Sequence, residues 1–275
     1  MRRRLDLEMV RRGIVHSRTE AAEAIASGKV TVGGRPAGKA STLVSTSEPI
    51  HLITAVRRFA SRAGEKLDAA LDRFAIPTME RRALDAGSST GGFVDCLLQR
   101  GAAHVVAVDV GYGQLDWRLR ADPRVTLLER KNVRDLHPEE LPYPADLVTA
   151  DLSFVSLRLA VGPLRRCSSA EADFVFLVKP QFEAGREDVG RGGVVRDPDV
   201  WLRVLEGVEG YCRGEELAPM GVMPSPLLGP AGNVEFLLHA RAGPPSGTGP
   251  WHEAGGVEAR KAAVAEAAEL VASHA

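Results

Sequence analysis

The stretch Ala83-Leu84-Asp85-Ala86-Gly87-Ser88-Ser89-Thr90-Gly91-Gly92-Phe93 decides the fold. A short apolar entry runs into an acid and then a Gly/Ser-rich turn. Phe93-Val94-Asp95-Cys96-Leu97-Leu98 follows with helical apolar spacing. Strand, tight loop and helix start together make the geometry that lets a ligand approach the protein backbone. The stretch is not a strict G-x-G-x-x-G, and it lacks the terminal Gly-Lys-Ser/Thr of a phosphate-binding P-loop. The nature of the ligand is therefore decided elsewhere in the chain.

Working outward, strand patterns recur at 83–85, 104–109, 125–128, 145–150, 173–178 and 233–239. Helical patterns fill 92–100, 114–121, 155–165 and 199–212, with a last one at 257–272. Strands alternating with helices predict an α/β fold of Rossmann-like type, a mostly parallel sheet covered on both faces. Ligands of such sheets bind beyond the carboxyl ends of the strands. Acids fall at those ends. Asp85 closes the first strand and Asp109 the second, 24 positions later. That spacing suits an acceptor for a ribose diol, which lies about 20 residues past the glycine turn. Asn132, just beyond the third strand, is a second candidate for the nucleoside. These positions point to a nucleoside-bearing ligand without separating NAD from S-adenosylmethionine.

Two further strand ends carry chemistry. Leu147-Val148-Thr149-Ala150 ends in Asp151, and Phe174 to Val178 ends in Lys179 before a proline. Desolvation favours a neutral amine, so a lysine at the mouth of an apolar strand is a plausible base. The 233–239 strand carries Glu235. Lys66 opens the helix before the first strand, running through Leu71 and Phe74 and ended by Pro77.

The first sixty residues differ in charge from the rest. They hold eleven Lys/Arg against five Asp/Glu, or +6, in a chain whose net charge is −1, which leaves −7 for the remainder. A basic module on a mildly acidic body suggests that one end meets a polyanion. Residues 2–12 read as a short amphipathic helix, and Ser17 caps a second helix over 18–27 that ends at Gly28. Val30-Thr31-Val32, a Gly33-Gly34 turn and a weak strand pattern to Ile53 complete the module. Across all 275 residues, 44% are hydrophobic and 26% charged, an ordinary globular composition. The longest apolar runs are strand-sized, and Met1-Arg2-Arg3-Arg4 leads into Asp6 and Glu8 rather than an apolar stretch. A cytoplasmic protein without membrane span, export signal or metal site is expected. Cys96, Cys167 and Cys212 are too widely spaced for a disulfide framework or a metal cluster.

The N-terminal module resembles the S4 RNA-binding domain, through Arg4-Leu5-Asp6-Leu7, Val15-His16-Ser17-Arg18, Ala22 to Ile25 and Ser27-Gly28-Lys29-Val30-Thr31-Val32-Gly33-Gly34. The resemblance implies phosphate contacts from Arg4, Arg18 and Lys29, and from Arg62 in the basic joint that follows. Such contacts position an RNA without choosing its sequence. Asp85-Ala86-Gly87-Ser88-Ser89-Thr90-Gly91-Gly92 resembles the first loop of an S-adenosylmethionine-dependent methyltransferase. Lys66, Asp151, Lys179 and Glu235 match the Lys-Asp-Lys-Glu tetrad of FtsJ-like RNA 2′-O-ribose methyltransferases. With Asp151-Leu152-Ser153-Phe154-Val155-Ser156-Leu157 and Val178-Lys179-Pro180-Gln181-Phe182-Glu183, the chain from Arg2 to Arg241 looks like the TlyA family, often labelled hemolysin A. Ala63 departs from the family's Gly-Gly before the lysine, without removing a chemical group.

The resemblance implies a last strand antiparallel to its neighbours, which brings Glu235 to the edge that holds Asp151 and Lys179. It implies S-adenosylmethionine held by Asp85, Gly87, Ser88, Ser89, Gly91, Gly92, Phe93, Asp109 and Asn132. It further implies methyl transfer to a ribose 2′-hydroxyl of ribosomal RNA, at cytidine, on free RNA or on ribosomal subunits. Lys179 would be the central base, assisted by Asp151 and tuned by Lys66 and Glu235. Residues 185–193, glycine-rich with Arg186 and Arg191, form a loop that could close over RNA. The expected boundaries are an S4-like domain at 1–54, a linker at 55–65, a methyltransferase domain at 66–242 and a linker with closing helix at 243–275. An NAD-dependent dehydrogenase leaves the basic module and the lysine/acid strand ends unexplained. A pore-forming toxin finds no apolar span or amphipathic hairpin array, and a non-catalytic RNA-binding protein would not need an intact tetrad.

Overall fold

A computed structural model describes residues 2–15, 17–52, 58–243 and 253–274. The chain divides into two compact units, Met1–Arg57 and Arg58–Ala275. The expected linker at 55–65 falls partly, and that at 243–256 mostly, outside the described residues. No described helix is long and apolar enough to cross a membrane.

The first unit comprises β1 (Arg2–Arg4), α1 (Leu5–Arg11), α2 (Arg18–Ala26), β2 (Val30–Val32), β3 (Arg35–Pro36), β4 (Leu43–Ser45) and β5 (Ile50–Leu52). Residues 2–4 are not the start of a helix, as their charge pattern suggested. They pair antiparallel with β4, which satisfies their backbone while three arginine side chains stay in solvent. The helix begins at Leu5, and Leu5 and Met9, one turn apart, pack on Ala21, Ile25, Val30, Val44 and Ile50. Ser17 caps α2 as expected, its Oγ accepting from the Glu20 amide at 3.1 Å.

The second unit is built on a seven-stranded sheet. In chain order its elements are α3 (Ala63–Arg73), β6 (Arg82–Ala86), α4 (Gly92–Gln99), β7 (His104–Asp109), α5 (Trp117–Arg120), β8 (Val125–Glu129), β9 (Ala145–Ala150), α6 (Val161–Arg166), β10 (Ser168–Val178), α7 (Pro180–Glu183), α8 (Pro198–Gly214), β11 (Leu217–Pro224), β12 (Phe236–Ala242) and α9 (Glu253–His274). The strands lie in the order β11-β12-β10-β9-β6-β7-β8. All neighbours are parallel except β12, which runs against both β10 and β11. This is the Rossmann-like methyltransferase sheet, with its late strand reversed.

Both faces are covered, so the strands read as continuous apolar runs. Alternate residues serve alternate faces. Phe174, Phe176 and Val178 of β10 pack with Trp201 and Val208 of α8 on one side. Val175 and Leu177 pack with Leu67 and Leu71 of α3 and Leu97 of α4 on the other. Three expectations shift. β11 was not foreseen because Pro219, Gly221 and Pro224 interrupt its apolar residues. It survives as an edge strand with an irregular register between Pro219 and Gly221, where a missing donor does little harm. The last strand starts at Phe236, not at 233, because the Asn233 side chain ties down loop backbone instead. Its Oδ1 accepts from the Val195 amide at 3.0 Å and its Nδ2 donates to the Gly193 carbonyl at 2.9 Å. The 155–165 helix is divided into a turn at Leu157–Leu159 and α6. The three cysteines are buried free thiols.

Candidate active site

The loops beyond β6, β7, β8 and β9 enclose a cleft of about 570 Å³ at the carboxyl edge of the sheet. Gly87 opens the first loop at φ +82°, and a Cβ there would sit 2.4 Å from the Asp151 carbonyl oxygen. Only glycine lets the β6 loop cross the end of β9 so closely. Both oxygens of Asp109 are held by backbone amides, Oδ2 by Ser89 and Oδ1 by Gly111, each at 2.7 Å. That fixes the carboxylate at the cleft wall. Gly87, Ser89, Asp109 and Asn132, four of the expected cofactor residues, line the cleft.

Asp85, in β6 next to Asp109 and Asp151, is fully buried and, like Ser88, does not itself line the cleft. Thr149 Oγ1 donates to its Oδ1 at 2.6 Å, while Oδ2 has no partner among the described residues. Burial pushes its pKa up to about 7, and the charges of Asp151 and Asp109 push the same way against the Thr149 hydrogen bond. The Ser88 hydroxyl is likewise buried without a partner. An orphaned buried acid beside two further carboxylates suits a cationic ligand, and S-adenosylmethionine carries a sulfonium and an ammonium. These residues fit that cofactor. The structure does not bring Gly91, Gly92 and Phe93 to the cleft. Gly91 caps α4 at φ +95° against Leu115 and Leu119, a Cβ on Gly92 would strike Ser61, and Phe93 is core. Val110, Gln114, Lys131, Leu152 and Phe154 are among the other wall residues. They sit in irregular loops, where no spacing in the sequence marks them.

The four tetrad residues converge next to this cleft. Val178 of β10 pairs with Phe236 of β12, so one step further along the register Lys179 faces Glu235. Asp151 follows β9, the parallel neighbour of β10. Lys179 Nζ lies 2.6 Å from Asp151 Oδ1 and donates to Ser153 Oγ at 3.0 Å. Lys66 Nζ, from the first turn of α3, is paired with Glu235 Oε2. The Lys66 and Glu235 side chains are only 10% and 2% exposed. The result is two ion pairs at one edge, Lys66–Glu235 buried and Lys179–Asp151 half-buried, two cations against two anions. Ser153, in the Asp-Leu-Ser-Phe stretch, is a further partner of the lysine that its spacing in the sequence does not mark. Arg62 sits exposed at the entry to α3, one turn before Lys66.

In the first unit Arg4 and Arg18 do not stand apart as free phosphate donors. Both grip Asp6, Arg4 through Nε and Nη2 at 3.0 and 2.9 Å and Arg18 through Nη2 at 3.1 Å. The Arg4 hydrogen bonds above all hold the Asp6 carboxyl down at about 2. Arg11 and Arg12 hold buried Glu8 in the same way, at 2.6 and 2.8 Å. Lys29, exposed at the turn after α2, has no carboxylate within ion-pair distance among the described residues.

Known proteins share both units. The model of the FtsJ-like methyltransferases matches residues 59–242, and that of the S4 domain matches residues 3–50. The 16S/23S rRNA (cytidine-2′-O)-methyltransferase TlyA of Mycobacterium tuberculosis is 53% identical over 243 residues, 87% of this chain and 90% of the relative. Hemolysin A of Brachyspira hyodysenteriae is 35% identical over 241 residues, 86% of this chain and 98% of the relative. A solved structure from Streptococcus thermophilus, described as a hemolysin, superposes with a TM-score of 0.78 at 33% identity. It covers 99% of this chain and 98% of that one.

Proposed function

The chain belongs to the FtsJ-like methyltransferase family, and from that premise we propose that it methylates the 2′-hydroxyl of cytidines in ribosomal RNA. S-adenosylmethionine supplies the reactive methyl group when bound. The observation that carries the reading is the pairing of Lys66 with Glu235 and of Lys179 with Asp151 at one sheet edge, where Asp151 lines the cleft.

A ribose hydroxyl is a weak nucleophile and needs both orientation and an acceptor for its proton. Lys179, steadied by Asp151 and Ser153, orients the hydroxyl, and the Lys179–Asp151 pair takes its proton as the oxygen gains the methyl. Lys66 and Glu235 set the charge around that pair and hold the ribose. Asp109 takes the cofactor's ribose, Asn132 its base, and Asp85 balances its positive charge. Arg4, Arg18, Lys29 and Arg62 hold RNA phosphates, and the 185–193 loop closes over the RNA. A substrate of this kind places the reaction in the cytoplasm.

Transfer of tritiated methyl to ribosomal RNA and to intact subunits tests the reading. Lys179→Ala should lower the rate by about 10²–10⁴-fold, the usual contribution of a positioned acid–base group. Labelling that survives the substitution removes Lys179 from the chemistry. If wild-type protein labels neither free RNA nor subunits, the chain binds RNA without modifying it.

A further inference from the structure

Two motif residues that the chemistry leaves unused, Ser156 and Glu183, meet behind the reactive lysine. The loop after β9 carries Asp151 and Ser153, both of which hold Lys179 Nζ. Its far end is held by the Glu183 side chain at the end of α7, only 2% exposed. Glu183 Oε2 accepts from the Ser156 hydroxyl at 2.6 Å, and Oε1 accepts from the Leu157 amide at 2.7 Å. Segments 151–157 and 179–183 are thus joined at both ends, by Lys179 at one and Glu183 at the other. The four-residue helix α7 sets the distance between the two joins.

Phe154 lies between them under visible constraint. Its backbone is left-handed, at φ +64°, and the residue is 91% exposed, its ring against Phe182 with centroids 5.3 Å apart. A bulky residue persists in that region only where its surroundings over-determine the backbone. Here the constraint comes from the two joins. Free of Glu183, the loop could relax through Phe154 and carry Asp151 and Ser153 off the lysine.

We propose that Glu183 is a positioning residue for methyl transfer, clasping Ser156 and the Leu157 amide so that Asp151 and Ser153 stay on Lys179. The inference rests on the reading of this site as a methyltransferase centre. It explains why Asp-Leu-Ser-Phe-Val-Ser-Leu and Lys-Pro-Gln-Phe-Glu occur together, since each motif supplies half of the clasp. Glutamine at 183 keeps the shape but can direct an N–H where an acceptor is needed.

The test compares wild type, Glu183→Gln, Ser156→Ala and the double variant in steady-state methylation, with thermal unfolding and amide hydrogen exchange at Leu157 alongside. Each single variant should lower kcat about tenfold, the effect of one charge-assisted hydrogen bond, with KM for S-adenosylmethionine within about twofold of wild type. The double variant should lose little more than either single, because both remove the same bond. The Leu157 amide should exchange faster in Glu183→Gln. Unchanged kcat in a folded Ser156→Ala, or losses that multiply in the double variant, would overturn the clasp. So would a kcat loss that only follows a fall in melting temperature. Absence of wild-type methylation would instead sink the methyltransferase reading, and Leu157 exchange would then decide alone whether the clasp exists.

Discussion

Asp6 of the first unit and Asp85 of the second are both buried, 3% and 0% exposed, yet their surroundings are opposite. Asp6 is gripped by two arginines and its carboxyl is held at about 2. Asp85 has one hydroxyl on one oxygen and, among the described residues, no partner on the other, and its pKa is pushed up to about 7 by burial. The first arrangement uses an acid to fix arginines that remain half in solvent. The second leaves an acid short of counter-charge, next to Asp109 and Asp151 of the cleft. Shifts of the second kind gather at functional sites, because a stable protein would otherwise supply the missing partner.

The largest effect should come from a pair that looks like the first kind but is sealed like the second. Glu235→Ala leaves the Lys66 side chain, only 10% exposed, with no ion-pair partner among the described residues, which should cost roughly 3–5 kcal/mol. Asp6→Ala leaves Arg4 and Arg18 at 44% and 59% exposure, able to turn to water, and should cost no more than about 1 kcal/mol. All three tryptophans lie beyond residue 58, so denaturant unfolding followed by their fluorescence reads the second unit, and hydrogen exchange over 2–52 reads the first. Equal losses in the two variants would erase the distinction.

Next comes pH. The folded pKa of Asp85 lies above its ordinary value of 3.8, so the folded state keeps a proton that the unfolded state has released. Its favourable contribution is complete below pH 4 and is lost as pH rises through about 7. Between pH 5 and 7 this one group should take about 2 kcal/mol from the second unit, at up to about 1.4 kcal/mol per pH unit. Asp85→Asn should flatten that slope and be the more stable protein at pH 8. Binding of the cationic cofactor should reverse the preference and expel the proton. Calorimetry at pH 6.5 in two buffers of different ionisation enthalpy should show proton release that vanishes at pH 8.5. A wild-type stability profile as flat as that of Asp85→Asn would remove Asp85 from the list of strained acids.

Much of this site was legible because strand ends are legible. β7 and β9 fall where the apolar runs end, and the residue after an apolar run is a residue at the sheet edge. Asp109, Asp151 and Lys179 follow from that rule, and Glu235 follows once the last strand is reversed. What the sequence hid depends on contacts between distant loops. Nothing around Glu183 announces that it reaches Ser156, 27 positions back. Phe93 sits in a cofactor motif, but helical spacing turns it into the core with Leu97. β11 was masked by two prolines and a glycine that an edge strand tolerates and a central one would not. Arg4 and Arg18 read as free cations because Asp6 lies between them in space, an arrangement that charge counting over sixty residues cannot show.

That shared acid gives the smallest and most discriminating prediction. Removing one phosphate-binding cation should lower the slope of log K against log salt for RNA by about 0.7–0.9. Lys29→Ala removes one cation that meets no carboxylate among the described residues, so the slope should fall by about one such step. Arg4→Ala removes a cation and also leaves Arg18 alone with Asp6. The acid then draws Arg18 inward, and the slope should fall by about two steps. Adding Asp6→Asn to Arg4→Ala frees Arg18 again and should return one of them. Filter binding of ribosomal RNA between low and physiological salt measures all three slopes. If Arg4→Ala and Lys29→Ala lower the slope equally, and Asp6→Asn restores nothing, then Asp6 is only a fold anchor and does not set how the arginines meet RNA.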